Sequence, residues 1–459
     1  MLMIGGIMVA LLSACCGGGY QYRGVGYWGS LYASVALLTS VVLGMSSMVG
    51  IGGSFGGVVQ VDQVGALFVV LSMLVGHLSL LSMLLSGSGS GVGGGLVSLV
   101  GCFFALVLLL LGVFSIYSGL FFFVCFELCV VPIFLLISKW GAQRDRVFSS
   151  YYMLFFSIIT PAPLLLVILK VSSSGYGSFD AVVYGVGLVE VGFVGAVALV
   201  LGFLTKLPIY GLHIWLPKAH VDAPVGGSMV LAGVMLKMGG YGVVRLNQVG
   251  VVSFNSGWGG GMVVLSLGLV GFIISSVICL RLVDYKVIVA FSSVGHMSAA
   301  VVGLVAGVGW GFLGGLYVFV GHGIISPLLF YVGGLLYSRS GSRLVVGWGG
   351  LGAVWGAAFY GMFLLMFMFN FGFPPFLNFL GELGVFYGIL SLSNLLGLLL
   401  FWGYLFSGIF MLNLVVSMAH GPSSGAGGMK SSCSAGEWGC LWVMVLVYGA
   451  FSIFAEKVF

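Results

Sequence analysis

One lysine constrains this chain more than any other residue. Lys237 stands thirteen residues after Pro224 in a run that is otherwise apolar or small, Val225-Gly226-Gly227-Ser228-Met229-Val230-Leu231-Ala232-Gly233-Val234-Met235-Leu236. The next charge, Arg245, is eight residues further on. Read as a helix, the run puts the ammonium about 19 Å from one end and about 12 Å from the other. A hydrocarbon core is about 30 Å thick, so the charge falls near its middle. A lysine there costs about 3 kcal/mol on the mildest scale. Only 5% of the 459 residues are charged and 61% are hydrophobic, with a mean hydropathy of +1.25. No soluble domain has this balance, and none of the chain is polar enough to be a soluble catalytic module.

The expected architecture is all-α and polytopic, with about fourteen transmembrane helices. Their centres fall near Met8, Leu38, Met73, Ala105, Cys125, Ile159, Ala198, Met235, Val270, Ala299, Val320, Phe363, Gly403 and Leu446. Gly-Ser stretches at 86–95, 172–187 and 421–436 read as linkers. The apolar start, Met1 to Cys16, lacks a basic leader and reads as a first helix, not a cleaved signal. Loops after odd-numbered helices hold ten basic residues: Arg23, Lys139, Arg144, Arg146, Lys218, Arg281, Lys286, Arg339, Arg343 and Lys430. Loops after even-numbered helices and the tail hold three, Lys170, Arg245 and Lys457. Such a split fixes the register of the count and predicts both termini on the outer side.

The eight cysteines are scattered or adjacent, without a C-x-x-C, and read as small apolar residues, not a metal site. The 79 glycines accompany few threonines, a skew toward G/T-rich codons. Read as the mark of an organelle genome, this bias lowers the worth of any lone glycine motif.

Four further ionisable groups interrupt apolar runs. Glu127 follows Phe121-Phe122-Phe123-Val124-Cys125-Phe126, twelve residues before Lys139, and Pro132 beside it removes one helical hydrogen bond. Its bland alternative is a protonated glutamate bonded between helices. Lys206 opens Lys206-Leu207-Pro208-Ile209-Tyr210-Gly211-Leu212-His213-Ile214-Trp215-Leu216-Pro217, which reads as a broken helix. Backbone of that kind is tolerated at membrane depth where it lines a cavity. The alternative is a lysine snorkelling to the interface, against which the eleven residues to Pro217 argue. Glu382 follows a second break, Phe373-Pro374-Pro375, in the twelfth helix, five after the seventh. Matching breaks predict a repeat of five helices, and an odd-numbered unit must be inverted. The expected divisions are 1–93 (helices 1–3), 94–245 (helices 4–8), 246–418 (helices 9–13) and 419–459 (a loop and helix 14).

Histidine titrates near neutral pH, so His322 is open between relay and structural donor. For His296 the structural reading comes first, and His77 is read as structural. In sequence the spans hold Glu127, Lys206, Lys237, His322 and Glu382, with no phosphate loop or nucleotide motif beside them. A proton is the smallest cargo that fits this inventory.

The stretch Leu207-Pro208-Ile209-Tyr210-Gly211-Leu212-His213-Ile214-Trp215-Leu216-Pro217-Lys218-Ala219-His220-Val221-Asp222-Ala223-Pro224 is followed by Gly227-Ser228-Met229-Val230-Leu231-Ala232 and Leu236-Lys237-Met238-Gly239-Gly240-Tyr241-Gly242. Together they resemble the subunit-4 family of mitochondrial NADH:ubiquinone oxidoreductase (respiratory complex I), whose members are antiporter-like. Supporting stretches are Phe126-Glu127, Trp140-Gly141-Ala142-Gln143-Arg144-Asp145-Arg146, Ser292-Ser293-Val294-Gly295-His296-Met297, His322-Gly323 and Gly381-Glu382. The similarity runs over about residues 115–390. Asp222 stands where Glu is commoner, and Pro374-Pro375 differs from the Leu-Pro-Gly of bacterial relatives; neither removes a charge.

The resemblance implies a fourteen-helix subunit with inverted repeats and broken seventh and twelfth helices. In it Glu127 is the acid of the fifth helix, paired with Lys206; Lys237 is the connecting lysine; His322 is the eleventh-helix histidine; and Glu382 is the acid near the exit. It also implies the mitochondrial inner membrane and no cofactor on this chain, with NADH, FMN, iron–sulfur clusters and ubiquinone on other subunits. The implied partners are other membrane-arm subunits, above all the antiporter-like subunits 2 and 5, and phospholipids including cardiolipin, with no nucleic acid. The expected mechanism is electrostatic. Lys206 keeps its proton while paired with Glu127, and burial favours its release when the pair opens. The alternatives are a subunit of a multisubunit cation/proton antiporter and a structural spacer with idle charges.

Overall fold

Helices that are apolar on every side must be covered by lipid or by one another, and the chain sorts its helices accordingly. The computed structural model describes residues 54–55, 59–86, 96–116, 118–173, 186–248, 260–307, 309–350, 356–420, 433–453 and 455. The expected helices centred near Met8 and Leu38, with Arg23 and Lys430, lie outside these residues. One antiparallel rung pairs β1 (Ser54–Phe55) with β2 (Val59–Gln60) ahead of the first described helix.

The remaining elements follow the expected order. They begin with α1 (Gln63–Leu85) and α2 (Leu96–Ser115). A fifth span is built from α3 (Gly119–Leu128) and α4 (Val130–Trp140), interrupted at Cys129. A sixth combines α5 (Arg146–Ile159) with α6 (Ala162–Ser173), parted at Thr160-Pro161. The seventh is α7 (Val186–Lys206), followed after the proline break by the short α8 (Trp215–Asp222). The eighth runs through α9 (Val225–Val230), a π-helical turn (Leu231–Met235) and α10 (Leu236–Gln248). Then come α11 (Gly260–Cys279), α12 (Tyr285–Val305) and the 32-residue α13 (Gly309–Ser340). The twelfth is divided into α14 (Ala357–Phe371) and α15 (Leu377–Leu390), and α16 (Asn394–His420) and α17 (Ala435–Ile453) complete the bundle. Among the described residues, ten helical stretches are long and apolar enough to cross a membrane.

The helices that carry Lys237, His296 and His322 form the centre, buried almost throughout, while α2, α5–α6 and α16 turn large apolar side chains outward. Both breaks are closed by side chains. The Thr205 carbonyl, at the end of α7, accepts from the Trp215 indole at 3.0 Å. At the second break the N–H groups of Leu377 and Asn378 donate to Ser452 and Tyr448 of α17, at 3.3 and 3.1 Å. Backbone groups freed at membrane depth must find such partners. At one face Asp62 caps α1 and receives Arg245 at 2.8 Å, and at the opposite, basic face Arg339 meets Glu437 at 2.6 Å.

Several glycines prove to be contact points, beyond what codon bias accounts for. A Cβ on Gly314 of α13 would lie 2.5–2.7 Å from the backbone of Gly381, Gly384 and Val385 in α15. One on Gly388 would lie 2.5 Å from the Gly311 Cα. The two backbones touch, as in small-residue seams between membrane helices. Gly239 and Gly242 likewise admit Phe203 of α7, and Leu207 just beyond its end, against α10. By contrast, Gly101 and Gly361 have open space. Gly314→Ala should therefore lower stability by about 1–3 kcal/mol, the range for overpacking. Thermal unfolding in detergent should show a clear drop for Gly314→Ala and none for Gly361→Ala; equal behaviour would contradict the seam.

Candidate functional site

The charged groups fall into two centres. The first joins the fifth and seventh spans. Lys206 ends α7, and its Nζ lies 3.3 Å from Oε1 of Glu127 on α3. A shorter contact goes to the preceding residue: Nζ donates to the Phe126 carbonyl at 2.6 Å and sits 3.4 Å from the centre of the Phe126 ring. Neither Glu127 oxygen makes a well-aligned hydrogen bond. Beside Lys206 is a cavity of about 20 Å³, lined by Val130, Met153, Ser157, Trp215, Leu231 and Met235. That is room for roughly one water.

The second centre is built on the eighth, tenth, eleventh and twelfth spans. Lys237 has no exposed surface. The π turn before it shifts the hydrogen-bond ladder by one residue, and single π turns of this kind are frequent at functional sites. Its Ala232 carbonyl accepts from Lys237 Nζ at 2.7 Å, a reach of five residues within one helix. Gly233 in the same turn is wedged between Val75 and Pro327, where a Cβ would lie 2.7 and 2.8 Å from them. Lys237 Nζ also lies 2.8 Å from Nδ1 of His322. A protonated lysine is donor only, so that Nδ1 must then accept and the His322 proton sit on Nε2.

The His322 ring lies 5.7 Å from that of His296, and His296 Nδ1 lies 3.7 Å from Oε1 of Glu382. The last separation is beyond a direct hydrogen bond and within reach of a small shift. Glu382 sits against Gly372, at the break, where a Cβ would meet its carboxyl at 2.8 Å.

The structure thus brings Glu127 to Lys206, and Lys237 to His322, His296 and Glu382. His296, first read as structural, stands between His322 and Glu382. The two centres are not joined directly: among the described residues no side-chain hydrogen bond links Lys206 to Lys237, and Leu231 and Met235 wall the Lys206 cavity toward the eighth span.

Lys286 is not the loop residue that the alternation of basic loops predicts. It is buried in the first turn of α12 and donates to the carbonyls of Ala223 and Val221 at 3.1 and 3.4 Å. Arg343 reaches the same Val221 carbonyl at 3.4 Å and Asp284 at 3.6 Å. Nearby, His220 stacks flat on Phe330 with ring centres 4.4 Å apart, fully buried. No signal in the sequence marked this contact, since the alternation of loops cannot tell a loop residue from the first turn of a helix.

Such a fold and site define a polytopic all-α membrane protein with paired ionisable groups inside the bundle. The family described as "NADH:quinone oxidoreductase/Mrp antiporter, TM" matches residues 117–408, and the chain belongs to it. It is 41% identical over 270 residues to NADH-ubiquinone oxidoreductase chain 4 of Branchiostoma lanceolatum, a match covering 58% of each chain. The chain 4 of Locusta migratoria is 38% identical over 307 residues, 65% of this chain and 66% of that one. The match thus spans less than two thirds of these relatives' length. Among solved structures, a chain of respiratory complex I from Thermus thermophilus with bound NADH superposes with a TM-score of 0.79 at 22% identity, covering 98% and 96% of the two chains. A chain of the Mrp complex from Dietzia gives 0.78 at 17% identity, covering 98% of this chain and 50% of that one. Both show the shared fold.

Gly372 and Gly356 both adopt left-handed backbone, at φ 72° and 84°. An alanine at Gly372 costs roughly 1–2 kcal/mol of conformational strain, and Gly356, at ψ 162°, lies in a region almost confined to glycine. Only at Gly372 would its methyl also meet Glu382. A structure of Gly372→Ala should show the His296–Glu382 separation changed from 3.7 Å, while Gly356→Ala should preserve it. An unmoved Glu382 in Gly372→Ala would contradict this packing.

Proposed function

We propose that the chain is a proton-translocating membrane-arm subunit of a respiratory complex I, coupling NADH:ubiquinone electron transfer to proton pumping. The observation that carries this reading is the 2.8 Å contact between Lys237 and His322, fully inside the bundle and followed by His296 and Glu382. Groups that gain and lose protons at adjacent positions are what a relay requires. In this reading Glu127 sets the charge state of Lys206, and Lys237 is the central carrier. His322, His296 and Glu382 then carry the proton outward. Each proton moved across 100 mV needs about 2.3 kcal/mol, which has to arrive from redox chemistry through conformational coupling.

The same reading places the chain in a mitochondrial inner membrane, with its termini on the intermembrane-space side and its helices in two inverted repeats. It takes NADH, FMN, iron–sulfur clusters and ubiquinone to be carried by other subunits. Its neighbours would be the antiporter-like subunits 2 and 5 and phospholipids. The similarity to an Mrp complex supports a second reading, a subunit of a multisubunit cation/proton antiporter. A sodium flux in the absence of a redox arm would select it.

Lys237→Met tests the relay. Methionine fills the space of the lysine stem and leaves no buried charge, so the complex should assemble. NADH-driven quinone reduction and proton uptake into vesicles, normalised to assembled complex, should fall about tenfold or more, about 1.4 kcal/mol of barrier. Lys218→Met, at an exposed position over the Tyr152 ring, should have a much smaller effect. Full activity in assembled Lys237→Met would leave the charges idle and favour a structural spacer.

A further inference from the structure

The expected mechanism has Lys206 released from its proton when Glu127 moves away, because burial then favours the neutral lysine. The geometry around Lys206 adds a second set of contacts to this picture. The nearest acceptor is the Phe126 carbonyl, at 2.6 Å, against 3.3 Å for the carboxylate. The ammonium also faces the Phe126 ring at 3.4 Å from its centre. That ring cannot swing aside. It is fully buried, stacked on Phe122 at 5.7 Å and met edge-on by Phe203 at 5.7 Å. The Glu127 side chain keeps 20% of its surface and the Lys206 side chain 5%. Of the two partners, the carboxylate is the freer to leave.

We infer that Phe126 is a positioning residue, a second holder that keeps Lys206 charged when the Glu127 pair opens. The inference rests on the proton-pumping reading above and changes one step of it. Movement of Glu127 alone does not deprotonate Lys206; the lysine must also leave the ring and carbonyl of Phe126. The cavity beside it, bounded by Val130, Met153, Ser157, Trp215, Leu231 and Met235, lies where that displacement could lead. Release of the proton then depends on motion of the lysine, and Phe126 sets how readily that motion occurs. The spans that line the cavity, the fifth to the eighth, contribute no acid or base to its lining besides Lys206. The titratable groups that act on Lys206 are Glu127 and Cys129, both from the fifth span.

Removing the ring while leaving the carbonyl isolates the effect. A desolvated cation–π contact is about 2 kcal/mol, equivalent to about 1.5 pH units in proton affinity. The experiment measures proton uptake and quinone reduction against pH in vesicles of the assembled complex. It uses Phe126→Leu, Phe126→Met and Phe126→Tyr, with Lys206→Met as reference. Both ringless variants should move the alkaline midpoint of pumping to lower pH by about 1.5 units, and Phe126→Tyr should restore it. Two ringless variants guard against one that fails to assemble. Unchanged midpoints in Leu or Met, or a shift in Tyr as large as in Leu, would overturn the inference. Full pumping by Lys206→Met would instead overturn the functional reading itself, since no lysine would then be needed.

Discussion

A cation inside a bilayer has to be held by something that is neither water nor a loose counter-ion, and Lys206 and Lys237 meet this demand in a common way. Each takes a backbone carbonyl beside a defect in a helix. For Lys206 the carbonyl is that of Phe126, just before the interruption at Cys129. For Lys237 it is that of Ala232, within the π turn. A regular ladder would have used both carbonyls internally. Both acceptors thus lie in or beside a helix irregularity. Each lysine then adds one side chain that can change state, Glu127 in the first case and His322 in the second. Carbonyls fix position, and the titratable partners supply the chemistry.

Closure of the breaks extends the same economy. The seventh span is sealed by Trp215, ten residues on in the same segment, whereas the twelfth is sealed by Tyr448 and Ser452, about seventy residues away. The second break thus depends on α17 being docked. Glu382 lies just beyond that break, so its position is linked to a helix that contributes no ionisable group to the row.

Much of this was legible in the sequence because charge is so rare. Glu127, Lys206, Lys237, His322 and Glu382 stand out from apolar runs, and prolines mark both breaks. Apolar periodicity located the spans, whose order from the third to the fourteenth matches the structure. What it could not supply was rotation. In a helix that is apolar on every side, the sequence does not say which residue faces which neighbour. That is why the sequence leaves His296 as a structural residue. The π turn at Leu231–Met235 leaves no compositional trace, since Leu-Ala-Gly-Val-Met continues a helix as readily as it interrupts one. The Phe126 ring was hidden for a similar reason, among neighbouring phenylalanines that look alike in sequence.

The touching backbones of α13 and α15 have a consequence for how such a chain can drift. Mutational pressure toward glycine codons changes little at a roomy position such as Gly361. At a helix contact the outcome is different in kind. Once a side chain is lost and two helices settle together, as at Gly311 with Gly388 and at Gly314 with Gly384, no larger residue can return without parting them. Loss is easy and regain is blocked, so the contact acts as a ratchet. Part of the abundance of glycine here would then persist even if the nucleotide bias that introduced it were reversed.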